Sequence, residues 1–370
     1  MKEVVIVLDN LRIGGFQRLA LDQAYAFSES GQKVSLLVLE QISTLQEGSF
    51  ATIEKDLLRN FEINIVWLGN KIKKQTLVLN KTMRLLSPNS ILISHSLRAT
   101  AIIGLSKSIF RYEIALHTTI HQLPTLSSTR QRFQRFFYAQ LTDYLFAYSS
   151  AVRADWVART QSNIIFKKML FRKPIHVLRN GIYLNRLPNP ISVNAAGKSK
   201  RLIFLGRNTG WKGIDTFIRI AAMEELSGFQ VLIMVPSAGS VAADSIPEKM
   251  KNRVSIVAGK SIASFEPSGG DVHLYPANYG ADAKFVESVS LNCLELACLG
   301  VPTLLTRSGL STWPELSNVG IFYETDWTDL RQIAHEIISI SDNAVTKDEV
   351  SWLKSVIDIQ NQIGKYLGMP

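Results

Sequence analysis

The segment FVESVSLNCLELACLGVPTLLT, residues 285–306, carries two carboxylates, Glu287 and Glu295, eight positions apart in apolar surroundings. Carboxylates accept hydrogen bonds from hydroxyl groups, and at 1.5 Å per helical residue the pair spans up to about 12 Å. That span resembles the distance from a sugar ring, across a diphosphate, to a ribose. Ser288 or Ser290 can cap the helix, Gly300 ends it and Pro302 prevents its continuation. Glu287 then stands at the helix mouth and Glu295 inside the helix. The N-terminal N–H groups between them suit an anion. A second cluster lies in FLGRNTGWKGID, residues 204–215, where Arg207 and Lys212 flank a glycine-rich turn at a helix start. Two cations beside helix N–H groups suit a diphosphate. In DNLRIGGFQR, residues 9–18, Gly14 and Gly15 let the backbone approach a ligand. The pattern is not Gly-x-Gly-x-x-Gly, so NAD is not implied.

These residues sit at the ends of apolar segments that read as strands. EVVIVLD, KVSLLVL, SILISHS, EIALHTT and YLFAYSS alternate with amphipathic helical stretches, the first of them stopped by Gly31. LPNPISVNAAGKSK, residues 187–200, reads as a linker. Alternation then restarts with RLIFLGR, helix GIDTFIRIAAMEEL, FQVLIMVP, VSIVAG, VHLYP, helix SLNCLELACLG and PTLLT. Apolar strands alternating with helices imply parallel sheets covered on both faces, and the restart implies two such α/β domains. A length of 370 residues with 46% hydrophobic and 19% charged residues fits two globular domains. In doubly wound sheets ligands bind at the carboxyl ends of strands, where the residues above fall.

The charge is uneven. Residues 1–180 hold 24 Lys and Arg against 12 Asp and Glu, a net of +12, while residues 181–370 hold 17 against 19, a net of −2. The basic residues gather in KIKK (71–74), TRQRFQRFF (129–137) and FKKMLFRKP (166–174). Such clusters suit an anionic membrane surface or nucleic acid, and the Arg/Phe mixture at 129–137 suits an interfacial helix. No nucleic-acid motif accompanies it, so a nucleic-acid partner is not expected. No apolar run reaches the roughly 20 residues of a membrane span, and the apolar start is too short for a signal peptide. Cys293 and Cys298, five apart on one expected helix, are poorly placed for a disulfide. No aspartate cluster argues for a metal. These features favour a cytoplasmic location.

In order along nearly the whole chain, GGFQRLALDQAYAFSESGQKVSLLV, YLFAYSSAVRADW, VLRNGIYLNRL, FLGRNTGWKGID, ESVSLNCLELACLGVPTLLT and VSWLKSVIDIQNQIGKYL resemble the motifs of the family 4 retaining glycosyltransferases. The resemblance implies a GT-B fold: two Rossmann-like doubly wound parallel-sheet domains facing a cleft. They would comprise residues 1–182 on the acceptor side and 201–349 on the donor side. A linker would cover 183–200, and a C-terminal helix over 350–370 would cross back. It implies a metal-independent transferase with no cofactor beyond a UDP- or GDP-sugar co-substrate. The acceptor would be a glycan or lipid-linked acceptor of cell-surface polysaccharide synthesis, met by an enzyme peripheral on the membrane's cytoplasmic face. Residue by residue, Arg207 and Lys212 would clamp the diphosphate and Glu287 would hold the donor sugar. Glu295 would bind the ribose. Ser288, Ser290 and Leu291 would complete the donor site, and Gly14 and Gly15 would line the cleft. The catalytic-site histidine ends an N-domain strand, which fits His117, with His121 as second choice. Where the family often has Gly-Phe-Gly after the first glutamate, this chain has Ser288, Val289 and Ser290. A catalytically inactive GT-B partner subunit and a nucleic-acid-modifying transferase are the rival readings.

Overall fold

The computed structural model of the chain describes residues 2–40, 49–69, 72–120, 123–124, 138, 140–161, 174–190, 200–208, 212–236, 241, 245–260, 262–277, 285–286, 289–306, 310–325, 327–343 and 345–368. It forms two compact units, Met1–Tyr183 with Ile359–Pro370, and Leu184–Asp358. The first unit runs β1 (Glu3–Leu8), α1 (Gly15–Glu29), β2 (Lys33–Val38), α2 (Phe50–Ile53), α3 (Lys55–Asn60), β3 (Asn64–Trp67) and α4 (Ile72–Leu85). It continues with β4 (Ile91–Ser94), α5 (Leu97–Phe110), β5 (Ala115–Ile120), β6 (Leu123–Pro124), β7 (Tyr144–Ala147), α6 (Ser150–Gln161) and β8 (Ile175–Val177). The second unit runs β9 (Arg201–Leu205), α7 (Ile214–Ala221), β10 (Gln230–Val235), β11 (Val254–Ala258), β12 (Asp271–Tyr275), β13 (Phe285–Val286) and α8 (Leu291–Cys298). After these come β14 (Thr303–Thr306), β15 (Phe322–Thr325), α9 (Leu330–Asp342) and α10 (Lys347–Ile357). Helix α11 (Gln360–Leu367) returns to the first unit.

Each unit is built on one parallel sheet, of strand order β3-β2-β1-β4-β5-β7-β8 in the first and β11-β10-β9-β12-β14-β15 in the second. The strands are nearly continuous apolar runs because helices cover both faces. Val4 to Leu8 of β1 are all buried. In the first unit Leu79 and Met83 of α4 and Ala99 and Ile103 of α5 pack with Val5, Val7, Leu37, Leu92 and Leu116. Alternation along β9 serves the two faces of the second sheet. Leu202 and Phe204 pack with Phe217 of α7 and Ile337 of α9, while Ile203 packs with Leu296 and Leu299 at α8. Local signals fix the ends. Ser96 accepts from the Ala99 N–H to start α5. Thr346 and Glu349 form a capping box on α10. Gly31 and Gly300 take left-handed backbone, φ +79° and +82°, beyond the ends of α1 and α8.

Two sequence expectations about extent change. Residues 350–370 are not one helix: α10 belongs to the second unit and α11 to the first, with Asp358 extended between them at φ −60°, ψ 118°. There the Ile359 N–H donates to the Ile182 carbonyl at 3.1 Å. The helix expected over 213–226 stops at Ala221, and a short 3-10 turn, Glu224–Leu226, follows. Residues 191–199 of the expected linker, and 130–137 of the expected basic helix, lie outside the described residues. Helix α11 buries Tyr366 among Phe146, Phe27 and His117, with ring centroids at 4.9, 5.9 and 6.0 Å.

The return at Ile359 needs a residue without a side chain opposite it, since a Cβ at Gly181 would lie 2.8 Å from both Cα and Cβ of Ile359. Gly181→Ala should therefore cost about 1–3 kcal/mol of stability, as overpacking does. Chemical denaturation reads the loss, and an unchanged midpoint would show that the segment is loosely seated.

Candidate functional site

In each sheet the winding direction reverses once, and the crevice outside the carboxyl ends of the two strands flanking that point is where α/β sheets receive ligands. In the second unit the reversal lies between β9 and β12. Beyond β9 come Gly206 and the exposed Arg207. Lys212 follows just before α7 and is buried, 7% exposed. Its ammonium donates to the hydroxyl of Tyr275, the last residue of β12, and stands 4.8 Å from that ring's centroid. Gly213, the N-cap of α7, has φ +75°, and a Cβ on it would lie 1.9 Å from the Pro276 carbonyl oxygen. Only glycine fits there, so the turn that presents Lys212 is held against the end of β12.

Helix α8 brings its first turn to the same place. Ser290 is its N-cap, accepting from the Cys293 N–H at 3.4 Å. Asn292 Nδ2 donates to the carbonyl of Leu205, the last residue of β9, at 2.8 Å. Arg207 and Lys212, and the first turn of α8 with Ser290 and Leu291, thus lie at the carboxyl ends of β9 and its neighbour β12. Glu287 and Ser288 lie outside the described residues. Glu295, the fifth residue of α8, is 4% exposed and ion-paired with buried Arg186 in the 3-10 turn Leu184–Arg186. Burial also raises the Cys298 thiol to about 12. Cys293 and Cys298 are both unoxidised.

In the first unit the reversal lies between β1 and β4. Asp9 and Asn10 follow β1, and Ser96 donates to Asp9 Oδ1 at 2.8 Å. Gln17 donates to Asn10 Oδ1 at 3.0 Å. Gly14 caps α1 with an extended φ of −175°, and a Cβ there would meet the Gln17 side chain; a Cβ on Gly15 would meet nothing within 4 Å. The protein itself therefore does not require Gly15 to lack a side chain.

His117 is not at a strand end. It is the third of six residues in β5, 1% exposed, with Tyr144 and Phe146 rings 4.8 and 5.6 Å away. The strand runs on because Thr118 and Thr119 are β-branched and pair with β7. Burial lowers the His117 pKa to about 4. His121, beyond the end of β5, lies outside the described residues. The histidine at the reversal point is His95, directly after β4 and 3% exposed. Its Nε2 donates to Gln23 Oε1 at 2.7 Å, and Gln23 Nε2 donates to the Tyr366 hydroxyl at 2.8 Å. Sequence order alone gives no reason to single out His95 or Tyr275, because both matter only once strand order is known. Arg186 is equally silent, as its partner is 109 positions away. Among the described residues no group of three or more His, Cys, Asp or Glu could hold a metal ion.

No protein-family model matches the sequence, and no curated protein matches it significantly. Among solved structures the chain is similar to Anabaena Alr3699/HepE in complex with UDP, at 15% identity and TM-score 0.69 over 100% of both chains. The same protein in complex with UDP-glucose matches at 12% identity, TM-score 0.69, again over 100% of both chains. An alpha-glucosyltransferase in complex with UDP and a 13-mer DNA containing a HMU base matches at 12% identity and TM-score 0.63, over 99% of this chain and 98% of that one. With its parallel sheets of seven and six strands, the chain has the α/β fold of the GT-B type.

Removing one partner of a buried ion pair strands the other, at about 3–5 kcal/mol. Glu295→Gln should lose that much in chemical denaturation, and Arg186→Met in the same chain should recover most of it. An additive second loss would deny the coupling. Three buried histidines weaken the fold in acid: burial lowers His95 and His273 to about 3 and His117 to about 4, from 6.5. They stay neutral in the fold while the unfolded chain takes up protons below 6.5. Their contribution to stability is thus fully present above that pH and falls as pH drops toward 4, by about 1.4 kcal/mol per pH unit per histidine. His117→Phe should flatten this slope by roughly a third. An identical slope in the variant would show that His117 protonates in the folded state.

Proposed function

We propose that the protein is a retaining glycosyltransferase, which moves a sugar from a nucleoside-diphosphate sugar to a glycan or lipid-linked acceptor of cell-surface polysaccharide. The observation that carries this reading is the pair of adjacent strand ends at the reversal point, with Lys212 held by Tyr275 at the end of β12 and the first turn of α8 bonded to the end of β9. A diphosphate placed there would meet two cations, Arg207 and Lys212, and the N–H groups of Leu291 and its neighbours. The likeness to a protein solved with UDP and with UDP-glucose supports a UDP-sugar donor.

In this reading catalysis is the stabilisation of a leaving diphosphate. As the anomeric C–O bond to the β-phosphate breaks, negative charge grows on that phosphate, and Arg207, Lys212 and the helix dipole meet it without reorganising. The departing phosphate oxygen takes the proton of the acceptor hydroxyl, and the new C–O bond forms on the same face of the sugar. No protein nucleophile and no metal is needed for that step. Glu287 would hold donor hydroxyls near the positive charge developing on the ring. Glu295 would bind the ribose, its carboxylate oriented by Arg186. Ser288 and Ser290 would add hydroxyls at the diphosphate. On the acceptor side, open space beside Gly15 would admit substrate. The histidine role first expected of His117 passes to His121, which follows the end of β5. An enzyme with a lipid-linked acceptor would work at the cytoplasmic face of a membrane. A nucleic-acid acceptor is the second reading, favoured by the similar alpha-glucosyltransferase solved with DNA.

A screen of UDP- and GDP-sugars by thermal unfolding and slow donor hydrolysis tests the donor. A true donor at 100 times its Kd should stabilise the fold by about 2.7 kcal/mol. Arg207→Ala should lower turnover by about 10²–10³-fold, the usual effect of losing one preorganised charge-stabilising group. Because Arg207 is exposed, Tm should not move. If no nucleotide sugar protects the protein, the donor reading falls. Transfer with DNA but not with lipid-linked glycans would favour the second reading of the acceptor.

A further inference from the structure

Eight large apolar side chains among the described residues are exposed, and five of them lie on two helices of the first unit. Leu77 is 72% and Leu85 77% exposed on α4, while Leu105, Ile109 and Phe110 of α5 are 46%, 68% and 40% exposed. The two helices cover the same face of the sheet, packing Leu79, Met83, Ala99 and Ile103 into one core cluster. They are tied by Tyr112, just after α5, whose hydroxyl donates to Asn80 of α4. Helical spacing puts Leu77, Lys81, Arg84 and Leu85 opposite the buried Gln75, Leu79 and Met83. On α5 the exposed Arg98, Leu105 and Ile109 stand opposite buried Ala99, Ile103 and Ser106.

Helices α4 and α5 themselves carry only positive charge, while Asp143 pairs with Lys107 of α5 and the exposed Glu113 follows Tyr112. Residues 63–112, fifty in a row, contain eight Lys and Arg and no Asp or Glu. Lys81, Arg84, Arg98 and Arg111 are all exposed. Aliphatic tips among long cationic side chains, with no acid on either helix, do not resemble a protein–protein interface, whose apolar centre is depleted of lysine. They match what an interfacial surface needs: leucines enter the headgroup boundary while the cations lie level with the phosphates.

We infer that the outer face of α4 and α5 docks the protein on an anionic lipid bilayer. The inference gives the reading of a lipid-linked acceptor a physical anchor, and places membrane contact on α4 and α5. Attraction supplies orientation at range, and Leu77, Leu85 and Ile109 supply the apolar hold once the face has arrived.

Vesicle co-sedimentation tests this on the full chain, with phosphatidylcholine alone and with phosphatidylglycerol added. Binding should require the anionic lipid and weaken with salt. Lys81→Glu with Arg84→Glu should lower partitioning at least about 10-fold. Leu85→Asp with Ile109→Asp should lower it similarly even at low salt. Because all four residues are exposed, circular dichroism and stabilisation by UDP-sugars should match the parent, which separates failure of docking from failure of the donor site. Indifference to anionic lipid, or parental binding in both double variants, overturns the proposal. Tight duplex-DNA binding lost in the charge variant, without vesicle binding, would assign the face to nucleic acid instead. Dimerisation lost in the leucine variant, again without vesicle binding, would assign it to a second copy of the chain.

Discussion

Between Gly213 and the carbonyl of Pro276 there is no room for a methyl group. The second unit's crevice depends on that contact. It joins the turn after β9 to the end of β12, the two strands between which the sheet reverses. A side chain at Gly213 would push the turn away and carry Lys212 off Tyr275. The left-handed backbone at this position excludes other residues independently of space. Two separate restraints therefore act on one residue, and both serve to aim the ammonium that follows from the neighbouring position. The ammonium's charge also reaches His273 in the strand below, adding to the burial that keeps that ring neutral.

Both units use a buried arginine to secure an irregular connection. In the first, Arg18 of α1 donates through Nε to Asp22 at 3.0 Å and pairs with Glu54 at the junction of α2 and α3. Tyr25 donates to the other oxygen of Glu54 at 2.6 Å, and burial beside that carboxylate holds the phenol far above its usual range. In the second, Arg186 pairs with Glu295. Pairs of this kind add little net stability over an apolar replacement, but breaking one partner is expensive, so they favour a single arrangement of the segments they join. For α8 the consequence is chemical as well. The carboxylate that fixes the 3-10 turn sits one helical turn behind the site's N–H groups.

What the sequence carried most clearly was local. The apolar runs of β1, β2 and β9, the stops at Gly31 and Gly300 and a cap at Ser288 or Ser290 all follow from residue type and spacing, because each depends on neighbours within about one turn. The end of β5 did not. Thr118 and Thr119 extend the strand past His117, moving the strand end to the position before His121. The break at Asp358 is also illegible locally, since its cause is the fit of Ile359 against Gly181 far away in sequence. His95 and Tyr275 gain their positions from strand order, a property of the whole sheet. The paired glutamates were visible, but the burial of Glu295 against Arg186 needed the fold.

The first unit is made from both ends of the stretch that encloses the second. Residues 184–358 are continuous and carry every strand of their own sheet. Residues 1–183, by contrast, lack the helix whose Tyr366 lies against Phe27, His117 and Phe146. During synthesis, domains ordinarily complete themselves in order from the N-terminal side. Here the order is inverted: the segment made first keeps an aromatic surface uncovered until the stretch after Ile359 has emerged, while the segment made second can finish ahead of it. A chaperone holding the nascent chain would find its grip on the older half.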